Sequence, residues 1–91
     1  MMRVTVQYLA QIKRAAGCNS ETVEVPIGGT LRDALRTLAD RHDGNFRAML
    51  LDDAAEPRKS LLFFIGDDQA AGTRLLRDGD AITILAPMAG G

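Results

Sequence analysis

Residues 76–91 read LRDGDAITILAPMAGG and contain most of the information that decides the fold. Asp78-Gly79-Asp80 has the composition of a tight turn, and the apolar run 81–85 that follows it predicts a β-strand. Pro87 then restricts the backbone and limits the conformations open to the residues after it. The segment therefore predicts a last strand followed by a short tail, residues 87–91.

The tail ends in Gly90-Gly91. Glycine has no Cβ, so a Gly-Gly end is thin enough to thread a narrow channel that other dipeptides cannot enter. The group delivered into such a channel is the terminal carboxylate of Gly91, which makes the carboxyl terminus the candidate reactive group. The alternative is a frayed terminus without a role, because chain ends are commonly disordered.

The rest of the chain predicts one small α+β domain. Val4, Val6 and Tyr8 alternate with polar residues in a first strand, and the segment 9–16 predicts a short helix that ends at Gly17. A second strand surrounds Val23. The main helix begins at Thr30, where the sequence 30–33 resembles a capping box, and its apolar stripe is Leu31, Ala34, Leu35 and Leu38.

A short helical turn over 46–51, a solvated polar loop over 52–59 and a strand over 61–65 complete the pattern. This order predicts an α+β fold with a mixed sheet packed against one main helix, which is a ubiquitin-like β-grasp arrangement. The first and last strands are apolar enough to lie in the middle of the sheet. The predicted organisation is a β-grasp domain over residues 1–86 and a flexible Gly-Gly tail over residues 87–91.

Composition excludes several classes of function. Twelve acidic and eleven basic residues give a net charge of −1 without a basic block, so neither nucleic acid nor a membrane surface is an expected partner. Cys18 is the single cysteine, which suits a reducing cytoplasm, and no export or membrane segment is present. Cys18 is interpreted as a bystander thiol and His42 as a helix-capping residue.

No carboxylate pair, nucleophile–base set or ligand cluster indicates a stand-alone enzyme or a metal site. The acidic residues of the loop 52–59 do not have the spacing of a calcium loop. We therefore expect a non-enzymatic protein that binds no cofactor of its own.

Three segments together resemble the MoaD/ThiS family of ubiquitin-like sulfur carriers, which includes the small subunit of molybdopterin synthase. They are VTVQYLA at 4–10, GTLRDAL at 29–35 and the whole of 76–91. The resemblance implies that an E1-like enzyme of the MoeB/ThiF type, using ATP and magnesium, adenylates the Gly91 carboxylate. A sulfurtransferase or persulfide donor then supplies the sulfur of a C-terminal thiocarboxylate.

The resemblance favours a molybdopterin-type pathway, with the molybdopterin synthase large subunit as acceptor enzyme. Carriers for cysteine, homocysteine or thio-siderophore synthesis have the same tail. Two alternatives stay open: a ubiquitin-like modifier conjugated to lysines through Gly91, and a β-grasp binding module whose tail is incidental.

The carrier role assigns further residues. Pro87, Met88, Ala89 and Gly90 would thread into the activating enzyme. The predicted strand 61–65, LLFFI, is apolar at every position. Because successive side chains of a strand point to opposite faces of the sheet, either Phe63 or Phe64 must point away from the main helix. With Leu85, the outward phenylalanine is expected to form a docking surface beside the tail, unless the segment 46–59 covers it.

Overall fold

The computed structural model describes residues 1–42 and 44–86, and within them it contains five strands and three helices. In chain order they are β1 Met2–Ala10, α1 Gln11–Ala16, β2 Ser20–Val25, α2 Leu31–Arg41, α3 Gly44–Leu50, β3 Leu62–Ile65, β4 Asp68–Gln69 and β5 Ala81–Ala86. The predicted tail, 87–91, lies outside the described residues, so the boundary between domain and tail stays a prediction.

The strands form one mixed sheet in the order β2-β1-β5-β3-β4. The central pair, β1 and β5, is parallel, with Thr5 opposite Ala81 and Ala10 opposite Ala86. The other pairs, β1–β2, β3–β5 and β3–β4, are antiparallel. The predicted mixed sheet with the first and last strands at its centre is confirmed.

Strict alternation gives the sheet two different faces. In β1 the side chains of Val4, Val6 and Tyr8 are buried, whereas the intervening residues are exposed. In β5, Ile82 and Ile84 are buried in the same way. Buried side chains of all three helices join this core: Ile12, Leu31, Ala34, Leu35, Leu38, Ala39, Phe46 and Leu50. We call the face toward the helices the inner face and the opposite one the outer face.

The predicted capping box opens α2. Thr30 N–H donates to Asp33 Oδ2 at 2.8 Å, and Asp33 N–H donates to Thr30 Oγ1 at 3.4 Å. These reciprocal bonds satisfy two of the amide groups that a helix start leaves unpaired. The helix therefore begins where the sequence predicted.

The predicted start of the first helix is wrong by two residues. Leu9 and Ala10 continue β1, because they pair with Leu85 and Ala86 of the central strand β5. Ala10 has φ 61° and ψ −134°, a conformation that cannot belong to a helix, so α1 begins only at Gln11. Tertiary pairing has overridden the local helix preference at this point.

The loop 52–59 was predicted to be solvated and is instead anchored. The Asp52 carboxylate accepts hydrogen bonds from the amides of Ala54 and Glu56 at 2.9 and 3.0 Å. These bonds hold the pKa of Asp52 below its usual range. Glu56 in turn pairs with Arg32 at 2.8 Å and Arg36 at 3.3 Å on α2. The two-residue strand β4 was not predicted, since so short an element carries no periodic signal.

A partly buried carboxylate ties β2 to the end of α2. Glu21 accepts hydrogen bonds from the Tyr8 hydroxyl at 2.6 Å and Arg41 Nη1 at 2.8 Å, and its Oε2 lies 2.5 Å from His42 Nε2. The backbone N–H of His42 donates to the Leu38 carbonyl, so His42 is the predicted capping residue with an additional role. Its ring also packs against the ring of Phe46.

Burial is the largest influence on the Glu21 carboxyl and raises its pKa, but the hydrogen bonds from Tyr8, Arg41 and His42 together outweigh it. The net pKa of Glu21 is lowered from the ordinary value of 4.5. Burial and the neighbouring carboxylate raise the pKa of Tyr8, so its hydroxyl stays a donor. The cluster is thus held together by the ionised form of Glu21.

We expect Glu21→Gln to destabilise the domain at neutral pH by about 1–3 kcal/mol, the usual range for hydrogen bonds to a charged group. Because folding lowers the pKa of Glu21, its contribution is complete above the ordinary value of 4.5 and is lost as the pH falls through the folded-state value. Urea unfolding between neutral pH and the acid range measures this. Glu24→Gln on the exposed part of β2 is the matched control, and an equal, pH-independent loss in both variants would contradict the assignment.

Ala10→Gly should stabilise the protein even though it removes a side chain. Ala10 has a positive φ, and removing the backbone strain of such a residue should stabilise the folded state by about 1–3 kcal/mol. Glycine also increases the conformational entropy of the unfolded chain, which destabilises the protein by only roughly 0.4–1 kcal/mol. Thermal unfolding provides the measurement. Ala48→Gly, at an exposed position within α3, is expected to destabilise instead, and a loss of stability in both variants would show that Ala10 is not strained.

Candidate docking surface beside the carboxyl terminus

Three leucines lie side by side on the outer face where β5 ends. Leu85 is opposite Leu9 on β1 and opposite Leu62 on β3. Leu9 is 38% exposed, and Leu62 and Leu85 are half-buried. We call Leu9, Leu85 and Leu62 the leucine row. Apolar side chains next to one another on an open sheet face are typical of a surface that binds a partner.

The structure decides between the two phenylalanines of β3. Phe63 is 5% exposed and belongs to the core, so its predicted docking role is wrong: it faces the helices, opposite the buried Ile84. Phe64 is half-buried on the outer face, with Thr83 on one side and Gln69 on the other. Sequence alone could not show which phenylalanine faces outward, because the residues on both faces of this strand are apolar.

Phe64 extends the leucine row by one step along the sheet. It lies next to Leu62 on the same face of β3, two residues further along the strand. The structure therefore makes Phe64 the outward phenylalanine and places it on the same face as Leu85. Their docking role stays a prediction, and Leu9 and Leu62 are additions that the sequence analysis missed. Leu9 continues the alternation of β1 on the same face as the exposed Gln7, and this could have identified it as an outward residue. The prediction of a helix over 9–16 obscured that alternation.

The segment 46–59, which was the alternative to an exposed docking surface, packs elsewhere in the described structure. Its helix α3 packs against α1 and α2, and its loop is held by the pairs of Glu56 with α2. Arg58 Nε also donates to the carbonyl of Ala48 on α3 at 2.9 Å. All of these contacts lie among the helices, and the outer face keeps its exposure.

The leucine row lies directly at the root of the predicted tail. Leu85 is followed by Ala86, the last described residue, which pairs with Ala10. The residues predicted to thread and react, Pro87, Met88, Ala89, Gly90 and Gly91, lie outside the described residues. Whatever docks on the leucine row is thus within one residue of the start of the tail.

The other titratable groups do not assemble a catalytic site. Burial and the Glu21 charge raise the pKa of the Cys18 thiol, which disfavours the nucleophilic thiolate. Cys18 lies at the rim of an open cavity of about 670 Å³ beside α1, and the described residues that line this cavity include no histidine or carboxylate. In the part of the chain that the structure describes, no group of three or more histidine, cysteine or acidic side chains is placed to hold a metal ion.

No helix within residues 1–42 and 44–86 has the length and apolar character needed to cross a bilayer.

The fold is similar to that of many solved structures, including the following three. SAMP1 from Haloferax volcanii, a small archaeal modifier protein, has a TM-score of 0.89 at 22% identity, covering 98% of this chain and 99% of that chain. A putative molybdopterin converting factor subunit 1 from Pyrococcus furiosus has a TM-score of 0.79 at 24% identity, covering 97% and 100%. The BexX/CysO complex of Amycolatopsis orientalis gives 0.69 at 23% identity, covering 97% and 99%.

At these identities the likeness establishes the fold, and the predicted ubiquitin-like β-grasp is confirmed. No curated protein matches the chain in sequence. The model of the ThiS family matches residues 6–91, which is nearly the whole length and includes the predicted tail. The chain therefore belongs to the ThiS family.

Proposed function

We propose that this protein is a sulfur carrier whose Gly91 carboxylate is adenylated and then converted to a thiocarboxylate. The observation that carries the proposal is the placement of the leucine row, a partly exposed apolar surface that ends one residue before the tail. The described residues offer a surface for a partner and no catalytic set of their own. Membership of the ThiS family, whose members are small carriers rather than catalysts, supports the same conclusion.

The chemistry explains why a partner enzyme is required. An α-carboxyl group has a pKa of about 3.3–3.7, so the Gly91 carboxyl is ionised at neutral pH and is a poor acyl electrophile. Attack of the carboxylate on the α-phosphorus of ATP, with magnesium on the phosphates, forms an acyl-adenylate and releases pyrophosphate. A persulfide sulfur can then attack the acyl carbon and displace AMP. A second thiol cleaves the resulting sulfur–sulfur bond and leaves the thiocarboxylate on Gly91.

The length of the tail suits this route. Five residues follow Ala86, and a fully extended segment of that length spans roughly 17 Å. That reach allows the leucine row to stay docked on the surface of the activating enzyme while the carboxylate enters a buried site. Gly90 and Gly91 would allow close approach of the channel walls, and Pro87 would reduce the entropy lost on ordering the tail.

The nature of the acceptor is the finer part of the proposal. We favour a molybdopterin-type pathway in the cytoplasm, with an enzyme such as the molybdopterin synthase large subunit receiving the sulfur. The similarity to a molybdopterin converting factor subunit supports this choice. The similarity to a BexX/CysO complex supports the more general point that a protein of this fold can bind a partner protein.

A second candidate function is conjugation of activated Gly91 to lysine side chains. The similarity to the small archaeal modifier protein SAMP1 favours it. The two functions have the adenylation step in common and differ in what attacks the adenylate. Peptide mass spectrometry of host proteins separates them, because a modifier leaves Gly-Gly remnants on lysines and a dedicated carrier leaves none.

Adenylation should depend on the last two residues. ATP–pyrophosphate exchange by the E1-like enzyme of the host should require this chain, and deletion of Gly91 should abolish it. Gly90→Val should reduce exchange strongly without changing the unfolding midpoint, because a branched side chain blocks the channel. Ala54→Val, the same kind of enlargement at an exposed loop position, is the matched control. Exchange that persists after deletion of Gly91 would sink the proposal.

The docking surface makes a separate prediction. Phe64→Asp should weaken binding to the activating enzyme by about 1–3 kcal/mol, the cost of losing a strong interface contact, and should leave the fold intact. Phe63→Asp should destabilise the domain by roughly 3 kcal/mol or more, because it places a carboxylate in the core. Titration calorimetry and thermal unfolding measure the two effects.

Gln69→Asp is the matched control for Phe64→Asp, because it places a negative charge beside Phe64 and keeps the aromatic ring. Its affinity for the activating enzyme should be close to that of the wild type. A loss of affinity equal to that of Phe64→Asp would assign the effect to charge and leave the ring without a role in docking.

A further inference from the structure

The outer face changes in character along the direction of its strands. At the tail end it carries the leucine row, and the next step along the sheet carries Phe64 together with the uncharged Gln7, Thr83 and Gln69. From Leu85 back to Ala81 the strand advances by four residue steps, which is roughly 13 Å. Charged side chains begin beyond that point.

Four carboxylates surround the far end of the sheet. Asp67 and Asp68 lie in and after the turn from β3 to β4 and are exposed. Asp78 and Asp80 lie in the turn that leads into β5, and we call these four residues the acidic end. Asp80 accepts a backbone hydrogen bond from Arg77, and Asp78 accepts one from Arg3, at 2.8 Å in both cases.

Those two hydrogen bonds fix the turn without neutralising its charge, because the donors are backbone amides. The side chain of Arg3 is occupied by Glu24 at 3.6 Å. Arg77 is the remaining cation in this turn, against four carboxylates at this end of the sheet, of which Asp68 lies opposite Ile65 and so has the parity of the inner face. The far end is therefore negative while the tail end is apolar.

This asymmetry matters because the hydrophobic effect does not by itself favour one orientation of two docked surfaces over another. The leucine row and Phe64 can contribute binding free energy in more than one orientation of the domain on a flat apolar partner. Only one orientation points the tail toward a buried active site. Charge pairs at the rim of an interface favour one orientation and accelerate association, while adding little to the affinity of the apolar part.

We propose, on the basis of the carrier function proposed above, that the acidic end orients the domain on its activating enzyme. The partner surface would present apolar side chains opposite the leucine row and Phe64, and lysine or arginine side chains roughly 13 Å away. Asp67 acts as the orienting residue, because it is exposed in the turn and makes no ion pair within the described residues.

The experiment compares Asp67→Lys with Asp53→Lys. Asp53 is exposed in the anchored loop among the helices, so the two variants change the net charge equally on different faces. Association with the E1-like enzyme is followed by stopped flow at about 0.05 M and about 0.5 M salt, where the screening length differs several-fold. Maximal ATP–pyrophosphate exchange at saturating carrier is measured in parallel.

Asp67→Lys should slow association by about 3–10-fold at low salt, and the difference should disappear at high salt. Asp53→Lys should stay within about twofold of wild type, and maximal exchange should be unchanged in both, because neither residue belongs to the tail. Asp67→Asn removes the charge without adding a lysine and should show the same effect in smaller measure.

Equal slowing in both lysine variants would assign the effect to net charge and overturn the proposal. Association of Asp67→Lys at the wild-type rate at low salt would overturn it as well. Failure of the carrier function itself has a different signature, because wild-type protein would then support no exchange at any salt concentration.

Discussion

The parallel pairing of β1 with β5 is the constraint on which the rest of the structure depends. It joins the two ends of the described chain in the middle of the sheet, with six residue pairs in register from Thr5–Ala81 to Ala10–Ala86. A one-residue slip would turn Ile82 and Ile84 to the outer face and bring the leucine of position 85 into the core. The register therefore determines which side chains are buried in the core and which are exposed to a binding partner.

The same pairing decides where the chain leaves the fold. Because β5 is parallel to β1, its last residue lies at the end of the sheet where α1 begins, next to the leucine row. The tail root and the apolar surface are thus placed together on one face by this ladder, and the acidic end lies at the opposite end of the sheet. A protein of this size has little room for an internal active site.

Much of this arrangement was predictable from local pattern. The alternation in β1, the capping box at Thr30 and the turn before β5 each have an unambiguous physical cause, and the structure has all three. The tail chemistry came from residues 90–91 and from family resemblance. Those predictions stand on the sequence, since the tail lies outside the described residues.

What the sequence did not give depended on contacts distant along the chain. Leu9 reads as helix locally and becomes strand because Leu85 lies beside it. Whether Phe63 or Phe64 faces outward depends on the register of β3 with β5. The sequence does not reveal this register, because β3 is apolar on both faces. Glu21 was overlooked, although it shares the core parity of Val23 and could have been recognised as a carboxylate that needs partners.

The central claim is that Gly91 carries sulfur. Intact mass spectrometry of the protein purified from its own host under sulfur demand tests it most directly. The account predicts a chain that ends at Gly91, with a fraction in which one sulfur replaces one oxygen, and fragment ions that place the substitution on the last residue. The account would be contradicted by a chain that is processed to end at another residue. It would also be contradicted if the Gly91 carboxylate stays unmodified when the activating enzyme and a sulfur donor are present.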